Sequence, residues 1–151
     1  MSTEYMKQTY WLDPRDKPGL LIALMRLLAG NSHIAFEGDP DDMAEMNFTS
    51  IPGVREGIVA PFKNEWGKNA KVIILPLEND TIPLILREVL PEGRIVHKVG
   101  AIQIEKDGEI QFLAGDNFQR ECVSVGPAVP EEVLDKLVAV GILRAYHTPI
   151  Y

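Results

Sequence analysis

The sequence predicts an α+β domain, about three helices packed as one layer on a mixed, mainly antiparallel sheet, and three observations carry this. Stretches of helical and strand periodicity follow one another without regular βαβ alternation. Two alternating apolar runs meet at Lys106-Asp107-Gly108, which reads as a hairpin connection. The chain has 151 residues, about the commonest size of one domain, and no Gly/Ser-rich or Pro-rich linker divides it. Residues 1–151 are therefore expected to form one globular unit, with residues 1–8 a candidate for disorder.

The elements follow in order. A first helix is predicted over Pro18–Ala29. Asp16 can accept from its first N–H groups, and Pro18 sits in the first turn, where a missing N–H costs nothing. Leu20, Leu24, Leu27 and Leu28 form its apolar stripe, widened by Leu21 and Met25, and Gly30 supplies a left-handed stop. His33–Phe36 reads as a short strand, Asp41–Asn47 as a short helix and Gly57–Phe62 as a strand within a loop-rich stretch. Ala70–Leu77 contains the unbroken run Val72-Ile73-Ile74-Leu75. Apolar on both faces, it is expected to lie centrally with both sides covered.

Asp80 is expected to cap a second helix, Thr81–Leu90, in which Ile82, Ile85, Leu86 and Val89 fall at i, i+3, i+4 and i+7. In the hairpin, a three-residue loop pairs Ile104 with Ile110 and Ile102 with Phe112. That register places all four on one face and leaves Gln103, Glu105, Glu109 and Gln111 in solvent. Cys122–Val125 reads as a short strand. Pro130 opens a third helix with Glu131 and Glu132 at its positive end and Leu134, Leu137 and Val138 buried. Gly141 stops it, and Ile142–His147 is the last strand. The aromatic segment Tyr5, Tyr10, Trp11, with Lys7 and Arg15, is either a first strand or packed arm, or an interface.

Composition then narrows function. Hydrophobic residues make up 46% and charged residues 25%, so the chain has the material for a core and is expected to be ordered. Twenty-two acids against 15 Lys and Arg give a net charge of −7, which disfavours a nucleic-acid partner, since such binding needs a cationic face. Cys122 is the single cysteine. No intrachain disulfide is possible, which fits a reducing, cytoplasmic setting. The N-terminus has no apolar core of a signal peptide. The longest apolar stretch, Leu20–Ala29, is broken by Arg26 and falls far short of the ~20 residues of a membrane span.

The sequence lacks a phosphate-cradling G-x-x-x-x-G-K-[ST], a G-x-G-x-x-G turn, a C-x-x-C pair, an H-E-x-x-H helix and a G-x-S-x-G elbow. No cofactor is implied. The densest charge feature is the turn carrying Glu37, Asp39, Asp41, Asp42 and Glu45. As a calcium loop beginning at Asp39 it fails: Met43, Ala44 and Ser50 occupy positions that need a ligand, glycine and glutamate. No metal site is expected. The plainer reading is a solvated turn with helix-capping acids; the functional one is a docking patch for a basic protein. Cys122 and His97, with Asp116 or Asp107 to orient the imidazole, are the right residue types for a thiol nucleophile. Spacing does not favour that over a small buried Cys122 beside Val123 and Val125. His33, His97 and His147 each read as structural residues. Trp66 reads as a plug beneath the loop 63–68.

At the level of protein type, a small acidic chain without catalytic motifs resembles bacterial inhibitor or immunity proteins, which neutralise a basic toxin. The leading expectation is therefore a non-enzymatic module that binds a basic protein through Glu37, Asp39, Asp41, Asp42 and Glu45, with Trp11 as an aromatic anchor. The alternatives are a small enzyme using Cys122 and His97, and a ligand-binding regulatory domain. A homo-oligomer formed through an exposed strand edge is a further expectation.

Overall fold

The computed structural model describes residues 8–44, 46–59, 70–91, 93, 99–115, 118 and 122–149. The elements in chain order are β1 (Tyr10–Pro14), α1 (Lys17–Leu28), β2 (Ser32–Gly38), α2 (Pro40–Met43), β3 (Arg55–Val59), β4 (Ala70–Leu77), α3 (Ile82–Val89), β5 (Val99–Lys106), β6 (Glu109–Ala114), β7 (Val123–Val125), α4 (Glu131–Ala139) and β8 (Leu143–His147). The eight strands form one open sheet in the order β3-β4-β2-β5-β6-β7-β1-β8. Every pairing among the described residues is antiparallel, so the expectation of a mixed sheet is corrected. The α+β class stands, with α1, α3 and α4 as the three longer helices and α2 a single turn.

One face of the sheet carries the core. A row runs across it from Val125 through Phe112, Ile104 and Ile34 to Leu75. The next row runs through Val123, Ala114, Ile102, Phe36 and Ile73. The buried helix residues, among them Leu20, Leu24, Leu28, Ile85 and Leu134, join these rows in one cluster. Alternation then turns the intervening strand residues to the opposite face.

α1 begins as its sequence requires: Asp16 accepts from the Gly19 N–H at 2.9 Å, and Gly30 leaves the helix at φ +100°. Its C-terminal end is closed by a group from another element. Lys106 Nζ donates to the carbonyls of Gly30 (2.6 Å), Leu28 and Ala29 (3.3 Å each), so a cation meets the negative end of the helix. Asn31 Nδ2 donates to Asp107 Oδ1 at 2.7 Å, and the Asp107 N–H to Asn31 O at 3.1 Å. Helix end and hairpin turn are thereby tied together.

The second helix starts differently from expectation. Thr81, not Asp80, is the residue before Ile82, and its side chain does not cap the helix. Thr81 Oγ accepts from the Glu78 N–H (3.0 Å) and donates to Pro76 O (2.8 Å), closing the turn that leaves β4. The hairpin register is also corrected. Lys106 pairs with Glu109 across a two-residue Asp107-Gly108 turn, with φ of +52° and +85°. A bulge follows: Glu105 pairs with Ile110 but Ile104 with Phe112. The extra residue restores Ile102, Ile104 and Phe112 to the core face. Ile110 is buried but lies outside the core cluster. Gln111, expected in solvent, is 4% exposed and accepts from the Ala128 N–H through Oε1 at 2.8 Å.

β4 is not central. It lies one strand in from the edge strand β3. Ile73, Leu75 and Leu77 are buried toward the helices, while Val72, Ile74 and Pro76 are half-buried on the opposite face. The strand reading of Tyr10 and Trp11 is realised as β1, inserted between β7 and β8. Tyr5, Lys7 and Trp66 lie outside the described residues. Among the described residues no helix is long and apolar enough to cross a membrane.

Candidate functional site

The acidic corner forms where β2 ends. Glu37 projects from the strand on the face away from the core, between Val72 of β4 and Ala101 of β5, and is exposed. Two residues on, Asp39 turns the chain into α2 and accepts from the Asp41 N–H at 2.9 Å, the role of an N-cap. Met43 anchors the turn in the core, which leaves Asp41 and Asp42 exposed. Glu45 lies outside the described residues. The corner thus holds one acid that shapes the backbone and three whose side chains reach solvent.

Trp11 is half-buried on that same face, opposite the described helices. One cross-strand row joins it to Ser124, Leu113, Gln103, Ala35, Ile74 and Arg55. Four strand spacings separate β1 from β2, or about 19 Å. Trp11 and Glu37 therefore share a face without touching, at a separation a standard protein interface spans.

The thiol candidates are not brought together in the described part of the chain. Cys122 is half-buried just before β7, and its carbonyl accepts from the Gly115 N–H at 2.8 Å. His97 and Asp116 lie outside the described residues. His33 and His147 are exposed, on strands five positions apart in the sheet. Among the described residues no group of three His, Cys, Asp or Glu side chains is arranged to hold a metal ion.

A cluster that the sequence reading did not single out lies at the other end of the sheet, where α4 packs on β8. Tyr146 OH is 2.5 Å from Asp135 Oδ1 and 3.0 Å from Glu131 Oε1. The two acids are four residues apart on α4 and so share one helix face; that spacing was the available signal. A phenol has one proton and can donate to only one carboxylate at a time. Tyr10 meets the Tyr146 ring edge-on, with centroids 5.2 Å apart and an interplanar angle of 87°.

The hydrogen bond to Asp135, then partial burial and the bond to Glu131, raises the Tyr146 hydroxyl well above the ordinary phenol range. Tyr10 is raised by burial first and then by the charge of Glu131. A folded-state value above the unfolded one means that the stabilisation is complete below pH ~10 and is lost as pH rises through the folded value. Tyr146→Phe is expected to remove a late-ionising phenol from an absorbance titration. It should also flatten the fall of folding stability with pH in the alkaline range. Identical alkaline curves for the two proteins would show that this hydroxyl is not coupled to the acids.

No family model matches the chain, and neither a curated protein nor a solved structure matches it.

Proposed function

We propose that the chain is a non-enzymatic interaction module that holds a positively charged protein partner against its acidic corner, in the manner of an inhibitor or immunity protein. The observation that carries this is the exposure of Glu37, Asp41 and Asp42 around a turn that Asp39 fixes and Met43 pins to the core. Rigidly placed like charges raise the local potential and steer an oppositely charged partner. The net charge of −7 gives the long-range field the same sign. Trp11 supplies an amphipathic ring of the kind that anchors interfaces.

The test is capture of a basic partner from the host lysate, followed by association kinetics at several salt concentrations. Asn keeps the capping oxygen of Asp39, so the triple variant Asp39→Asn, Asp41→Asn, Asp42→Asn removes charge while preserving the turn. Its association with the captured partner is expected to slow on the order of tenfold or more at low salt, and to depend less on salt. Unchanged low-salt kinetics in the variant would remove the corner from the interaction.

A further inference from the structure

Two triplets of the sequence have the form of an N-glycosylation acceptor, asparagine and threonine flanking a residue other than proline: Asn47-Phe48-Thr49 and Asn79-Asp80-Thr81. Both asparagines are exposed. The fold treats the two triplets differently, and the difference lies in their threonine hydroxyls.

In the first, the Thr49 hydroxyl donates to Asn47 Oδ1 at 2.7 Å, and the Thr49 N–H donates to the same oxygen at 3.0 Å. Together they close an Asx turn. A backbone N–H can only donate, so the amide oxygen is the atom that faces Thr49 and the amide nitrogen is turned away from it. Nδ2 donates to no acceptor among the described residues. The main chain beneath it is fixed: the Asn47 N–H donates to Glu88 Oε1 at 2.9 Å, and Phe48 is buried in the core. Asn47 therefore presents its side-chain nitrogen outward from a held backbone.

In the second triplet the hydroxyl is committed elsewhere. Thr81 is 9% exposed. Its Oγ donates to Pro76 O at 2.8 Å and accepts from the Glu78 N–H at 3.0 Å, and makes no hydrogen bond to Asn79. Turning it toward Asn79 would open the turn that leaves β4 and strip a partner from partly buried backbone, which carries a desolvation cost.

An amide nitrogen is a poor nucleophile because its lone pair is shared with the carbonyl. A hydroxyl donating to Oδ1 draws charge to the oxygen and makes an Nδ2 proton easier to lose. We infer that Asn47, and not Asn79, is the acceptor of an N-linked sugar delivered as a glycosyl diphosphate by a transferase. Nδ2 attacks the anomeric carbon, and the N–C bond forms as the C–O bond to the diphosphate breaks. The diphosphate leaves with the electron pair, and one Nδ2 proton passes to a base of the transferase.

The test is peptide mapping by mass spectrometry of the chain purified from its own host. A hexose or a larger glycan is expected on the peptide carrying Asn47, and none on the peptide carrying Asn79. Variants expressed in the same host separate the hydroxyl from the rest of the turn. Asn47→Gln should lose the sugar. Thr49→Val, which keeps the backbone N–H but not the hydroxyl, should lose it too, while Thr49→Ser and Asn79→Gln should retain it. Circular dichroism and the urea midpoint establish that each variant is folded. A bare Asn47 in the host protein overturns the inference. So does a sugar on Asn79, or undiminished modification in folded Thr49→Val, since the hydroxyl geometry would then not select the site. With the sugar found, two donors distinguish its source: UDP-glucose with a soluble asparagine glycosyltransferase, and membranes carrying a lipid-linked oligosaccharide. The arm that modifies Asn47 of the folded chain identifies the carrier.

Discussion

Phe48→Ala is expected to lower folding stability by about 3–5 kcal/mol, the range for removing a buried aromatic ring. Phe48 is 1% exposed and lies parallel to Phe36 of β2, with ring centroids 6.1 Å apart and an interplanar angle of 3°. It belongs to the segment between α2 and β3, which has no ladder of its own and is held by Met46, Phe48 and Ile51 in the core. One polar tie adds to this, the Asn47 N–H donating to Glu88 Oε1 at 2.9 Å. Losing the ring removes the largest of these anchors and leaves a cavity beside Phe36. Urea unfolding should show a lower midpoint with unchanged slope, and amides from Met43 to Val54 should exchange faster than those of β5. A loss below about 1 kcal/mol would mean that the segment collapses into the space the ring leaves.

Gly126→Ala is expected to cost about 2–4 kcal/mol, combining overpacking with the disruption of a buried hydrogen bond. A Cβ at this position would stand 2.5 Å from Gln111 Oε1 and 3.1 Å from Ile110 O. The first contact displaces the side-chain amide that accepts from the Ala128 N–H; the second presses on backbone that cannot turn aside. The two contacts separate in a double-mutant cycle. In a Gln111→Ala background the added methyl meets only Ile110 O, so the cost of Gly126→Ala should fall by about 1 kcal/mol or more. Equal costs in both backgrounds would show that the glycine is required by the main chain alone.

The elements legible in the sequence were those specified by neighbours in the chain. α1 has its cap, its stripe and its stop within fifteen or so residues; β4 is an apolar run bounded by polar ends; α4 has acids in its first turn and Gly141 at φ +84° beyond its last. The elements that were not legible depend on distant partners. Gln111 looks like a solvated strand residue until the turn 126–129 comes to lie over it. Lys106 looks like a turn lysine until the end of α1 reaches it. The acidic corner was readable because its acids crowd into one short stretch, Glu37 to Glu45, although the structural duty of Asp39 emerges only with the backbone. The run at Val72–Leu75 called for cover on both faces, and the described helices cover one.

The position of β1 has a consequence for how the protein is made. Tyr10 pairs with Val125 and Trp11 with His147, so the earliest of the described strands is completed by two of the latest. During synthesis β1 has no ladder to join until β7 and β8 have cleared the ribosome. Contacts of such long sequence separation form late and fold slowly. The β2–β4–β5 sheet can assemble earlier, while β1 waits as an unpaired edge with Trp11 uncovered. A nascent chain stalled before Leu143 would present that edge to chaperones, and β1 should become protected in one late step, when β8 emerges and closes over it.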